Sequence, residues 1–195
     1  MKKDLSEMTL EELWELFPII LKEHNPDYKE WYLTEKENII KSIGSAHIER
    51  INHIGSSAVK GLISKPTVDI LVEINKDCGM ENLKTKLKNS GWVLMSFEKE
   101  PELRMVFCKG YTKDGFAKKV YHLHVRNHAD WNELYFRDYL IAHKDVADEY
   151  GKLKLNLWKQ YEHNRDGFTE AKTQFIEKYT SRAKKEFEGK YLPNL

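Results

Sequence analysis

The 195-residue chain holds no apolar run approaching the roughly 20 residues needed to cross a bilayer, which excludes a membrane-spanning helix. Its opening stretch, MKKDLSEMTLEELWELF, lacks the uninterrupted apolar segment of a secretory signal. Cysteine is scarce. Cys78 and Cys108 are the only two, they have no metal-type partner spacing, and neither sits beside a candidate base, so thiol catalysis is set aside. A cytoplasmic protein with reduced thiols is expected. Excess charge of one sign is also missing: 32 basic and 31 acidic side chains nearly cancel, so no global field draws the chain onto nucleic acid or an anionic membrane. Any phosphate recognition must therefore be local. Without a repeat, a low-complexity segment or a Pro/Gly-rich linker, residues 1–195 read as one unit.

What is present changes period along the chain. Thr9 and Glu12 form a capping-box pattern ahead of Leu10, Leu13, Leu16 and Phe17 at helical spacing, until Pro18 disturbs it. A second helix is predicted from Tyr28 to Ile43, with Trp31, Glu35 and Ile39 at four-residue steps and Gly44 as its stop. Strands follow at Ile48–Ile54 and Thr67–Ile74. In the latter, apolar Val68, Ile70, Val72 and Ile74 alternate with Asp69, Leu71 and Glu73, giving one apolar face and one carrying carboxylates. A polar helix at about 80–89 precedes three more strands, Trp92–Phe97, Arg104–Lys109 and Lys118–Arg126, the last two flanking a Lys113-Asp114-Gly115 hairpin turn. Past Asp130 the strands stop, and helices are predicted at 131–143, 145–162 and 167–188, with Asp166 as a cap for the last. The fold class is α+β: a sheet core over about 1–128 with N-terminal helices, then a helical extension over about 129–195.

The chemistry concentrates between His53 and Glu73, HIGSSAVKGLISKPTVDILVE. In Gly55-Ser56-Ser57 a glycine permits close backbone approach, and two hydroxyls with the amides of a helix start can bond phosphate oxygens. A tight turn with a helix cap is the plainer reading. Asp69, mid-strand, shifts the balance, because an ionised carboxylate there needs a cation, a metal or a hydrogen-bonding ligand. Lys65 lies just before that strand, placed to neutralise phosphate or simply to be solvated.

This layout resembles the nucleotidyltransferase fold of polymerase-β-type enzymes, in which a Gly-Ser turn holds nucleotide phosphates and strand carboxylates hold Mg²⁺. More closely, HIGSSAVKGLISKPTVDILV resembles the signature of the GrpB family, as do the Tyr121–Val125 strand (YHLHV), the Phe136–Leu140 helix (FRDYL), and Tyr150, Lys154 and Lys172–Phe175. The resemblance implies a nucleotidyltransferase-like mixed β-sheet with flanking helices, and a nucleotide or other phosphate-bearing small molecule as partner. It leaves the substrate open. Some relatives are fused to dephospho-coenzyme A kinase, which points toward nucleotide or coenzyme metabolism. Arg137, Lys154 and Lys172 match recurrent basic positions of the family and supply the anion site if their helices pack over the cleft; otherwise they pair with neighbouring carboxylates.

Two-metal nucleotidyl transfer needs carboxylates at i and i+2 of one strand, and the i+2 position here is Leu71. Glu73 lies about 13 Å from Asp69 at a rise of about 3.3 Å per residue, a poor substitute. In place of a carboxylate from the neighbouring strand stand His122 and His124, two residues apart on one face, with His53 as a third imidazole. Asp69, His122 and His124 therefore form the candidate metal set, for Mg²⁺ or Mn²⁺ ahead of Zn²⁺, with Asp69 and His124 as the candidate catalytic pair. The competing reading has the histidines only hydrogen-bonding Asp69 or a ligand phosphate. Two functions stay open: possible transfer of a nucleotidyl group, or a non-catalytic phosphate-binding module with a degenerate metal site. The Trp and Tyr residues at helical spacing, such as Trp131, Tyr135 and Tyr139, read as core.

Overall fold

The structure, a computed structural model, describes residues 3–193. Thr9 caps the first helix, α1 (Leu10–Leu16), reciprocally with Glu12, and Pro18 ends it by disfavouring helical backbone at Phe17. The chain then drives Phe17, Ile19 and Leu21 into the interior. Helix α2 (Tyr28–Ile43) buries Tyr28, Trp31, Ile39 and Ile43 on one stripe; its buried Glu35 meets Lys109 Nζ at 2.7 Å.

The sheet comprises β1 (Ile48–Ile54), β2 (Val68–Ile74), β3 (Val93–Glu98), β4 (Arg104–Thr112) and β5 (Gly115–Asn127), in the order β1-β2-β5-β4-β3. Only β2 and β5 pair in parallel; the other neighbours are antiparallel, so the sheet is mixed. Helix α3 (Met80–Asn89) joins α2 on one face, over Val68, Ile70, Phe107 and Leu123. The helices α4 (Asn132–Ala142), α5 (Lys144–Tyr161), α6 (Arg165–Glu170) and α7 (Thr173–Glu186) follow the sheet. The architecture is α+β. No helix of the described residues is long and apolar enough to cross a membrane, and both cysteines are buried and free.

Four expectations need correction. The second face of β2 is not a solvated polar face: Leu71 and Glu73 are both 0% exposed. Leu71 packs with Ile54, Trp131 and Leu134 beneath the helical region, while the Glu73 carboxylate is gripped by Arg50 through both Nε and Nη2. The helix predicted over 167–188 is two, α6 and α7, separated at Ala171-Lys172. Asn164, not Asp166, caps α6, its side chain accepting from Gly167 N at 2.8 Å. Strand β4 also runs past Lys109, because a bulge at Gly110 lets pairing resume at Tyr111. Only glycine suits that point, at φ +92° with the space for a Cβ taken by Lys119 O, 2.2 Å away.

The Arg50–Glu73 pair joins β1 to β2, and Arg50 also donates to Ala129 O at 2.8 Å, tying the sheet to the loop before α4. Removing one partner of a buried pair strands the other. Glu73→Ala is expected to destabilise the protein by about 3 kcal/mol in denaturant unfolding. Lys144→Ala, at an exposed pair with Asp148, is expected to change stability by less than about 0.5 kcal/mol.

Candidate functional site

Strand β1 ends at Ile54, which lies across from Asp69 in the β1–β2 register. The backbone turns at Gly55 (φ +71°) into a single 3₁₀ turn, Ser56–Ala58. A Cβ at Gly55 would fall 2.6 Å from Asp69 Oδ2, so both the backbone angle and the space require glycine. The turn and the carboxylate are thus built against each other.

The parallel register places His122 beside Asp69 and His124 beside Leu71. His122 Nδ1 lies 3.2 Å from Asp69 Oδ1, and His124 Nε2 lies 3.8 Å from the same oxygen. The far nitrogen of His122, Nε2, meets the Tyr111 hydroxyl at 2.8 Å and Arg165 Nη2 at 3.1 Å. A guanidinium can only donate, so Nε2 accepts and the proton sits on Nδ1, donated to Asp69. Burial drives His122 toward this neutral form, pushing its pKa down. Burial alone would raise Asp69, but the two imidazoles outweigh it and hold the carboxyl well below the usual carboxylate range.

Around this chain of bonds lies a cleft of about 840 Å³, lined by the Gly55–Ser57 turn, β2, β5 and the C-terminal helices. Six basic side chains line it: Arg104 and Lys184, which pair with Glu102 and Asp130, and Lys65, Lys154 of α5, Arg165 of α6 and Lys172. Lys154, 3% exposed, donates from Nζ to Ser56 Oγ at 3.0 Å and to Ile63 O, and lies 4.6 Å from the centre of the Tyr150 ring. Lys65 and Lys172 approach the Phe168 ring at 5.6 and 4.3 Å. Burial, then repulsion within the cluster, pushes Lys65 and Lys154 down to about 7. Lys172 is pushed to about 8 by burial, with the nearby Asp69 partly offsetting it.

Of the residues singled out from sequence, Gly55, Ser56, Ser57, Lys65, Asp69, His122, His124 and Lys172 all line this cleft. The Ser57 hydroxyl, however, is engaged by His53 Nε2 at 3.0 Å, in a buried residue. His53 itself lies one residue before Ile54, hence on the opposite sheet face, where it stacks on Tyr32 (4.9 Å, 14°) and burial pushes it to about 4. Arg137 stands outside the cleft lining: it pairs with Asp138 (2.7 Å), donates to His53 O (2.9 Å) and reaches the Tyr191 hydroxyl (2.8 Å), fastening α4 to β1. The strand expected to end at Lys109 leaves Tyr111 out of the site, although Gly110, a glycine inside a strand pattern, is a signal of a bulge. The sequence of 162–167 reads as a polar interhelical turn whose His163 and Arg165 could face the cleft, and Arg165 lines it.

A divalent metal fits these residues poorly. Both nitrogens of His122 are engaged, one beside a guanidinium that would face any cation bound there. The second-carboxylate position is Leu71, within the core. The other acidic side chains of the cleft each have a basic partner: Glu102 with Arg104 (3.0 Å), Asp130 with Lys184 (3.1 Å) and Glu133 with Arg126 (3.7 Å). Among the described residues no group of three or more His, Cys, Asp or Glu is arranged to hold an ion.

Residues 18–182 match the family described as GrpB protein. Glutamate-rich protein GrpB of Alkalihalophilus pseudofirmus is 32% identical over 163 residues, 82% of this chain and 92% of that protein. A UPF0157 protein of Streptomyces coelicolor is 31% identical over 172 residues, 87% of this chain and 86% of that one. The crystal structure of protein GrpB from Enterococcus faecalis aligns with a TM-score of 0.75 at 25% identity, covering 86% of this chain and 99% of that one. The matched span takes in the Gly-Ser turn, Asp69, both histidines, Lys65, Lys154, Arg165 and Lys172, and the chain belongs to the GrpB family.

Proposed function

We propose that the cleft binds the phosphate group of a nucleotide or another phosphate-bearing metabolite. The observation that carries this reading is the convergence of Lys65, Lys154, Arg165 and Lys172 beside Ser56, three of them ammonium groups whose burial and crowding press them to give up protons. Cations brought together out of water favour an anion that neutralises them. Phosphate offers several acceptor oxygens and charge for four donors. The volume, about 840 Å³, is in the range that encloses a whole small ligand, so a nucleoside or similar body has room beside its phosphate. Nucleotidyl transfer is the weaker reading, since a second strand carboxylate is absent at Leu71.

Titration calorimetry with inorganic phosphate, pyrophosphate, AMP and ATP tests the proposal; absence of heat and of thermal stabilisation with all four would refute it. Lys154→Met is expected to weaken binding by about ten- to a hundredfold, because a hydrogen bond to a charged group contributes about 1.5–3 kcal/mol. Arg137→Met, outside the cleft, is expected to lower stability while leaving Kd within about threefold.

The pH dependence has a definite sign. Below about 7 the ammonium groups of the empty cleft are charged; above it Lys65 and Lys154 release protons that an anion must bring back. Affinity is therefore expected to rise toward about pH 7, as the phosphate takes on its second charge at about pH 6, and to fall between 7 and 9. Proton uptake on binding, read at pH 8 from heats in two buffers of different ionisation enthalpy, is the direct check. Gly55→Ala, which drives a methyl group into Asp69 Oδ2, is expected to cost about 1–3 kcal/mol of stability and to weaken phosphate binding as the turn shifts.

A further inference from the structure

The donors around Asp69 do not form a metal site, and the cations around Ser56 supply the positive charge that a metal would bring to phosphate. We propose that this cleft takes a phosphate group of charge −2 or more, as a terminal phosphomonoester or a pyrophosphate linkage, in the form of the metal-free anion. The inference rests on the phosphate reading above and goes beyond it, because it assigns Asp69 a different task. Asp69 is a positioning residue. Its Oδ1 accepts the Nδ1 proton of His122, which leaves Nε2 as the acceptor that holds the Arg165 guanidinium. Arg165 is thereby anchored to His122 through Nη2 and bonded to Tyr111 as well, which leaves the rest of its five donors for an anion.

Electrostatics points the same way. Asp69 stands within the influence of Lys65 and Lys172, raising the pKa of each, and a phosphate in their midst would feel its negative charge as repulsion. A carboxylate that served only to hold a metal would be essential to phosphate binding. One that sets a tautomer can be replaced by an amide, whose carbonyl oxygen still accepts from Nδ1–H while the repulsive charge is gone. Ser56 completes the cradle. Its hydroxyl accepts from Lys154 and so directs its own proton outward, toward an acceptor such as a phosphate oxygen.

The test measures Kd for inorganic phosphate, pyrophosphate, AMP and ATP on the full chain, in a chelator and again with excess Mg²⁺ or Mn²⁺, for the wild type and Asp69→Asn. The expected result is binding in chelator that is equal to or tighter than binding with metal, because magnesium withdraws free pyrophosphate and ATP. Asp69→Asn is expected to bind within threefold of wild type or more tightly, and the ¹⁵N shifts of His122 should report a neutral ring with its proton on Nδ1. Phosphate and pyrophosphate binding as well as AMP and ATP would locate recognition in the phosphate alone; a gain with the nucleotides would add the nucleoside body to the ligand class. Binding that needs metal, or is at least tenfold tighter with it, and is lost in Asp69→Asn would overturn this inference while leaving the phosphate reading intact. No binding by any of the four under either condition would overturn both.

Discussion

A carboxylate set against a glycine turn organises this site. Asp69 lies half-buried on β2 at the cleft, where its charge is met by imidazoles, and Gly55 leaves it space that any Cβ would fill. The neighbouring strand answers with His122 and, farther off, His124, and the parallel β2–β5 register is what puts them there. One hydrogen bond fixes the tautomer of His122; that tautomer then turns a second nitrogen to Arg165 and Tyr111. The geometry of α6 is thus linked to a strand residue almost a hundred positions earlier through three side chains. Hydrogen bonds in such a chain orient one another.

Charge burial explains why the helices close over the sheet where they do. Lys154 is almost fully buried and still directs its ammonium at Ser56 and a backbone carbonyl, so α5 is held to the Gly-Ser loop by polar contacts as well as by Val59 and Leu62 packing under Tyr150. Elsewhere the protein pairs its buried charges one to one, as in Arg50 with Glu73 and Lys109 with Glu35. In the cleft it does not: three lysines and an arginine face a carboxylate whose oxygen is already shared by two imidazoles. Structural stability would favour neutral residues at these positions, so the imbalance points to a ligand.

The sequence made much of this legible. Most strand and helix boundaries follow from period, capping and turn residues, and Gly55, Ser56 and Asp69 stand out because a Gly-Ser turn sits just ahead of a mid-strand carboxylate. What it concealed was tertiary. Glu73 looks like a solvent-facing strand residue, and only the reach of Arg50 reveals it as buried. His53 and Arg137 carry suitable chemistry, yet strand parity sends one to the far face and Tyr191 with Asp138 hold the other away. Tyr111 and Arg165 join the site through a bulge and an interhelical turn, and the turn's direction depends on packing across more than forty residues. Leu71 was the reverse case: a single apolar residue in the strand already argued against a paired-carboxylate metal site, and its burial with Trp131 and Leu134 gives the reason in three dimensions.

The central claim is that the cationic cluster exists to hold phosphate, and its most direct test is a crystal structure grown with pyrophosphate in chelator. The account predicts pyrophosphate density in the cleft within hydrogen-bond distance of Ser56 Oγ, Lys154 Nζ and Arg165, with the His122 to Asp69 bond retained. A cleft that stays empty at saturating pyrophosphate, or an anion bound only elsewhere on the surface, would contradict it.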